Sequence, residues 1–228
     1  MALTDHAAIV LITGIPAAGK STVADWLARR FERSVHVRAD VFRRMVVTGR
    51  QEMTSTPSEG AWRQLRLRYR LAAQVADTYY EAGFSVVIQD VVIGPLLTSY
   101  VNGIRARPLV LVVLAPRPEV VARREAARTK VAYGDDAATI PALDAALRQE
   151  TPRIGLWIDT STQSPDETVD EIIRRGPPST AASTDSNIER PGPTTPPRWR
   201  RGRRVLPAAG LAVAHSDPQR RTTGARSA

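Results

Sequence analysis

The chain has no cysteine among its 228 residues and three histidines, scattered along its length. Disulfides, thiolate metal centres and a cysteine nucleophile are excluded at once, and the histidines offer no ligand set for a structural zinc. The absence of cysteine fits a reducing compartment, and a cytoplasmic protein is expected. Aromatic residues are also scarce, at 5% against 43% hydrophobic residues overall. A core must therefore rest on Val, Leu, Ile and Ala, the usual filling of a buried parallel sheet. Apolar runs such as 109–115 fall far short of the ~20 residues needed to span a bilayer. The apolar stretch near the N-terminus has no basic segment before it, as a secretory signal would.

Acidic residues are outnumbered, and the net charge of +9 would by itself suggest a polyanionic partner. Its distribution weakens that reading. From Gly176 onward nine arginines face three acidic residues, so six of the nine excess charges lie in the tail. The same stretch holds eight of the 17 prolines and has almost no apolar periodicity, which predicts a disordered tail over 176–228 behind a folded domain over 1–175. Contact with nucleic acid is expected only through this tail, where RWRRGRR occupies 198–204, and a solvated charge run is its simpler reading.

What is present is concentrated at the front of the chain. Residues 9–22 read IVLITGIPAAGKST, an apolar strand passing through a Gly/Ala turn into a helix. Gly14, Ile15, Pro16, Ala17, Ala18, Gly19, Lys20 and Ser21 fit G-x-x-x-x-G-K-[ST], the loop whose backbone N–H groups wrap nucleotide phosphates. The glycines let bare amides approach an anion, and the following helix adds its positive end. Lys20 supplies a compact charge for the β and γ phosphates, Ser21 a hydroxyl for Mg²⁺, and Thr22 completes the binding segment. No second structural purpose is visible for the Lys20 ammonium.

The remaining chain alternates strands and helices. After the first strand, 7–13, a helix is expected over 20–31, with Val23, Trp26, Leu27 and Phe31 inward. A short strand over 35–38 leads to Asp40, which either caps the helical run 41–47 or acts on a ligand, since α/β folds place ligand chemistry at strand ends. A polar loop over 48–60 precedes a long helix, 58–82, with Trp62, Leu65, Tyr69, Ala72, Ala76 and Tyr79 on one stripe and Arg63, Arg66 and Arg70 on another, a solvated face by default and a phosphate or acidic-substrate contact otherwise. The third strand, 85–89, ends at Asp90, where a Walker B carboxylate able to hold Mg²⁺ through water would fall. Val91 follows, not the Glu of water-activating ATPases, which favours transfer to a bound acceptor. Residues 95–107 read as partly helical and 109–115 as a central strand. A basic helix carries Arg124 and Arg128 on one face toward a lid over 131–140; it is either an ordinary solvated helix or one that supplies arginines to phosphates. A short helix (141–150), a last strand (156–159) and a closing helix (165–175) complete the domain.

With these motifs in view, residues 1–175 resemble the AAA-type P-loop kinases that phosphorylate small molecules, notably the chloramphenicol phosphotransferase-like, zeta-toxin-like and gluconate-kinase-like groups. The resemblance rests on GIPAAGKST, on Asp40 and Asp90 after successive strands, and on the Arg-rich helix before the lid. It implies an α/β P-loop NTPase fold, with a parallel five-strand sheet in the order 2-3-1-4-5 flanked by helices. It further implies ATP and Mg²⁺, Asp40 as base toward an acceptor hydroxyl, and Arg124 and Arg128 as lid arginines. The expected activity is transfer of the γ-phosphate of ATP to a small antibiotic-, sugar- or nucleoside-like alcohol. A nucleotide-binding switch or a kinase of nucleic-acid ends are the alternatives. The guanine-reading N-K-x-D tetrad is absent, and residues 48–69 contain no motif that names one acceptor.

Overall fold

A computed structural model describes residues 3–54, 56–127 and 140–176. Arg128, positions 131–139 of the expected lid and the expected tail from 177 onward lie outside the described residues. Five strands form one all-parallel sheet: β1 (Ile9–Thr13), β2 (Ser34–Arg38), β3 (Ser85–Gln89), β4 (Leu109–Leu114) and β5 (Leu156–Ile158), in the order β2-β3-β1-β4-β5. The expected sheet is thus found. Every residue of β1 and β3 is buried, and five of six in β4, so both faces are covered. That is why these strands read as unbroken Val/Ile/Leu runs without alternation.

Helices α1 (Lys20–Ala28), α2 (Asp40–Arg44), α3 (Glu59–Glu81), α4 (Leu96–Gly103), α5 (Pro118–Ala126), α6 (Ile140–Ala145) and α7 (Pro165–Arg175) provide that cover. α1 packs on α7, and α3 on α4 and β3. α1 ends three residues earlier than its apolar spacing suggests, and Trp26 is exposed, because Ala24, Leu27 and Ala28 fill the inward positions with Val23. α3 begins at Ser58, whose hydroxyl accepts from the Ala61 N–H at 3.1 Å. Tyr69, Ala72 and Ala76 of its stripe are buried, while Tyr79 faces solvent. α6 runs into a π turn over Ala146–Glu150. α7 opens with a full capping box between Ser164 and Glu167, and buries Val169 and Ile172.

A buried carboxylate absent from the periodic pattern ties α3 to the segment between α4 and β4. Asp77 accepts from the backbone N–H groups of Arg105 at 3.0 Å and Ala106 at 2.9 Å, fixing the entry to β4. No helix among the described residues is long and apolar enough to cross a membrane.

Candidate active site

Three neighbouring strands deliver the site. β1 leads into the Gly14–Gly19 loop, β2 ends two residues before Asp40, and β3 ends immediately before Asp90. Hydrogen bonds past the strand ends hold these exits together. The Ala39 N–H donates to Gln89 O at 3.1 Å and the Asp90 N–H to Ile12 O at 3.2 Å. Thr13 Oγ1 donates to Val92 O at 2.7 Å and accepts from the Val92 N–H at 2.9 Å. The phosphate loop and both carboxylates are therefore fixed by the sheet.

The loop adopts a backbone that ordinary residues resist. Gly14 has φ 145°, and a Cβ there would lie 2.5 Å from Leu114 O. Gly19 has φ 98° and Ala17 φ 59°. An alanine in the left-handed region costs roughly 1–2 kcal/mol, an observed strain of the kind that collects at ligand-binding turns. Left-handed residues within such a loop turn backbone N–H groups into a concavity, as an anion needs. Lys20, buried except for 9% of its surface, donates from Nζ to Gly14 O at 2.9 Å and Ile15 O at 2.8 Å. Its ammonium thus also holds the loop, a structural purpose that the sequence motif does not display.

The loop opens on a cleft of about 710 Å³, within the usual ~300–1,000 Å³ of small-molecule sites. Ser21 and Thr22 line it beside Lys20, with Asp40, Asp90 and Arg124 on the other walls. Asp40 is the first residue of α2, and no side-chain hydrogen bond caps that helix. Its Oδ2 lies instead 3.1 Å from Arg44 Nη2. As an acidic residue in the first turn of α2, the carboxylate also favours the helix dipole.

Asp90 is buried, and that burial pushes its carboxyl up to about 6, against the opposing pull of Arg68, the Val91 N–H and Lys20. Oδ1 lies 2.9 Å from Arg68 Nη2 and accepts the Val91 N–H at 2.7 Å. Oδ2 is buried without a hydrogen bond among the described residues. An orphaned carboxylate oxygen in the same cleft as the Ser21 hydroxyl fits Mg²⁺, which takes one or two protein oxygens and completes its shell with water and phosphate. No cluster of three or more metal-ligating side chains exists among the described residues, and this ion does not need one.

Arg124 leaves α5 and crosses behind the loop. It donates from Nη1 to Ala18 O at 3.3 Å and from Nη2 to Thr160 O at 2.8 Å. Burial lowers its guanidinium from the ordinary value, Arg123 adds to this, and Asp159 opposes it. It is held on the loop and on the segment after β5, with Arg128 beyond the described residues.

Arg68 and Arg43 also line the cleft, and sequence reasoning missed both. Arg63, Arg66 and Arg70, the conspicuous basic stripe of α3, are exposed. Arg68 lies off that stripe beside Tyr69, whose hydroxyl donates to Val91 O at 3.0 Å and whose ring stacks on Tyr100 at 4.7 Å. Its adjacency to the buried stripe residue Tyr69 was the one available signal.

Comparison with known proteins agrees with this architecture. A family model described as an AAA domain, AAA_33, matches residues 9–152. A search of curated proteins finds no match. Among solved structures, a sugar kinase from Janibacter sp. HTCC2649 superposes with a TM-score of 0.56 at 20% identity, covering 74% of this chain and 93% of that one. The APS kinase of Mycobacterium tuberculosis, in complex with AMPPNP and APS, gives 0.56 at 17%, covering 74% and 96%. The tunicamycin resistance protein of Deinococcus radiodurans gives 0.55 at 17%, covering 75% and 95%. Likeness at such identities establishes a shared P-loop kinase-like fold, and with the family model matching more than half of its length, this chain belongs to the AAA_33 family of AAA domains.

Proposed function

We propose that the protein is an ATP-dependent phosphotransferase that moves the γ-phosphate of ATP to the hydroxyl of a small molecule in the cytoplasm. The observation that supports this best is the single cleft shared by the phosphate loop and Asp40, the carboxylate at the start of α2. The named neighbours include kinases, and their fold is the one found here.

In this reading the loop amides and Lys20 hold the β and γ phosphates, and the site works by positioning and charge neutralisation, which dominate phosphoryl transfer. Mg²⁺, which Ser21 and Asp90 would hold, supplies further neutralisation of the phosphate oxygens. Asp40, steadied by Arg44, accepts the proton of the acceptor hydroxyl. The acceptor oxygen forms a bond to the γ-phosphorus as the bond to the β,γ-bridging oxygen breaks, and ADP leaves. Arg124, and Arg128 from the expected lid, offset the charge of the migrating group. Val91 in place of a water-activating glutamate favours this transfer over a hydrolytic switch.

The test is acceptor-dependent ADP release over a panel of alcohols, with Asp40→Asn as the discriminating variant. A general base contributes ~10²- to 10⁴-fold, so transfer should fall by at least two orders of magnitude while ATP affinity survives. A near-wild-type rate on an established acceptor would remove Asp40 from the mechanism.

A further inference from the structure

A second, smaller cavity of about 40 Å³ adjoins the phosphate cleft, between α2, the segment after it and α3. Its walls are apolar: Phe42, Val46 and Met53 on one side, Ala61, Leu65 and Leu71 on the other. Arg43 and Arg68 border it, and the same two side chains are walls of the cleft. Arg43 lies one turn along α2 from Asp40. The cavity and the cleft that holds Asp40 therefore share these two side chains as a common wall.

Its outer wall is built in advance. Gln64 Nε2 donates to Gly49 O at 2.8 Å, the Gln51 N–H to Gln64 Oε1 at 3.0 Å, and Ser58 Oγ to Gln51 Oε1 at 2.5 Å. These bonds pin the segment to α3 without packing that fills the space between them. The charges at the border have partners within the protein: Arg43 pairs with Glu52, which Arg50 Nε also meets at 3.2 Å, and Arg68 pairs with Asp90. Among the described residues, the one buried side-chain polar atom of the lining without a hydrogen bond is Arg68 Nε, a donor suited to a single neutral oxygen. Val41, Met45 and Val47 continue apolar surface outward from the same segment.

We infer that this cavity is the acceptor subsite, and that the acceptor is a neutral alcohol carrying a compact apolar substituent, such as a short branched alkyl group, in preference to an acidic sugar or bare polyol. The inference rests on the phosphotransferase reading. The cavity's volume is about three times the ~10–15 Å³ that one water needs, so it takes a few carbon atoms. An apolar cavity gains from hydrocarbon and does not hold water well, whereas a polyol would give up hydrogen bonds there without replacement.

The test uses the full chain saturated with a non-hydrolysable ATP analogue and a graded set of probes: ethanol, propan-1-ol, 3-methylbutan-1-ol and glycerol, with binding followed by ligand-observed NMR. Affinity should rise about fourfold for each methylene buried, and glycerol should bind at least tenfold more weakly than 3-methylbutan-1-ol. Val46→Phe should abolish the preference by occupying the cavity, and Val46→Ala should extend it to a bulkier alcohol. Melting temperature and analogue affinity verify that both variants are folded. Equal binding of glycerol, or a preference indifferent to both Val46 variants, overturns the inference. ADP release is then measured with ATP: release promoted by glycerol and 3-methylbutan-1-ol alike, unchanged by Val46→Phe, overturns the subsite while leaving the phosphotransferase reading in place. Release with no alcohol, despite saturable probe binding, overturns that reading and the acceptor assignment together.

Discussion

Replacing Arg68 with methionine would keep most of the side-chain volume against Tyr69 while removing the guanidinium that lies 2.9 Å from Asp90 Oδ1. The carboxylate would remain buried with the Val91 N–H as its neighbouring donor. Removing one partner of a buried pair costs about 3–5 kcal/mol, but protonation of Asp90 limits that cost. Its carboxyl already stands at about 6 against an ordinary 3.8, and Arg68 is the largest of the influences holding it down. Without Arg68 it rises further. A carboxyl raised in the folded state binds its proton more tightly there than in the unfolded chain. Its contribution is therefore fully present below the unfolded value and is lost as pH rises through the folded one. In the wild type that loss is spent near pH 6; in Arg68→Met it continues to higher pH. The penalty of the variant should be about 1 kcal/mol near pH 5, for lost hydrogen bonding. It should widen by up to about 1.4 kcal/mol per pH unit between about pH 6 and pH 8. Urea unfolding of both proteins across this range measures it, and a penalty equal at the two ends would refute a charged Arg68 and Asp90 pair.

Lys20→Ala should abolish nucleotide binding by calorimetry, and should also lower stability by about 1–3 kcal/mol because its charged hydrogen bonds to Gly14 O and Ile15 O are lost; unchanged ATP affinity would refute its assignment. Gly14→Ala should cost several kcal/mol and disable the loop, since a Cβ would sit 2.5 Å from Leu114 O at a φ of 145°; a wild-type melting temperature would contradict this geometry. Arg124→Ala should weaken ATP binding at least severalfold by freeing the loop from the Thr160 segment, and an unaltered nucleotide titration would show that the loop holds its shape alone. Ending the chain at residue 176 should leave melting temperature and nucleotide affinity nearly unchanged, because the sequence of the remainder is proline-rich and has almost no apolar periodicity; a large fall in melting temperature would place part of the fold beyond that point.

The framework was legible because its signals are local and redundant. A parallel sheet buried on both faces demands uninterrupted Val/Ile/Leu runs, and β1, β3 and β4 display them. The phosphate loop announces itself because its glycines answer a backbone requirement that side chains cannot meet, as the 2.5 Å approach to Leu114 O makes concrete. Contacts that depend on tertiary register left no such mark. Arg63, Arg66 and Arg70 form a regular stripe, which a solvated face produces, and they are exposed; no such regularity marks Arg68. Arg68 reaches Asp90 because it flanks the buried Tyr69 and because α3 crosses the end of β3 at that level. Neither condition is written within one helical turn. Asp77 was missed for the same reason, its partners Arg105 and Ala106 being two elements away. Asp40 stands between the two cases. Its position after β2 was readable, but a carboxylate at a helix start looks the same whether it caps or acts. What favours the second is the cleft that it shares with Lys20.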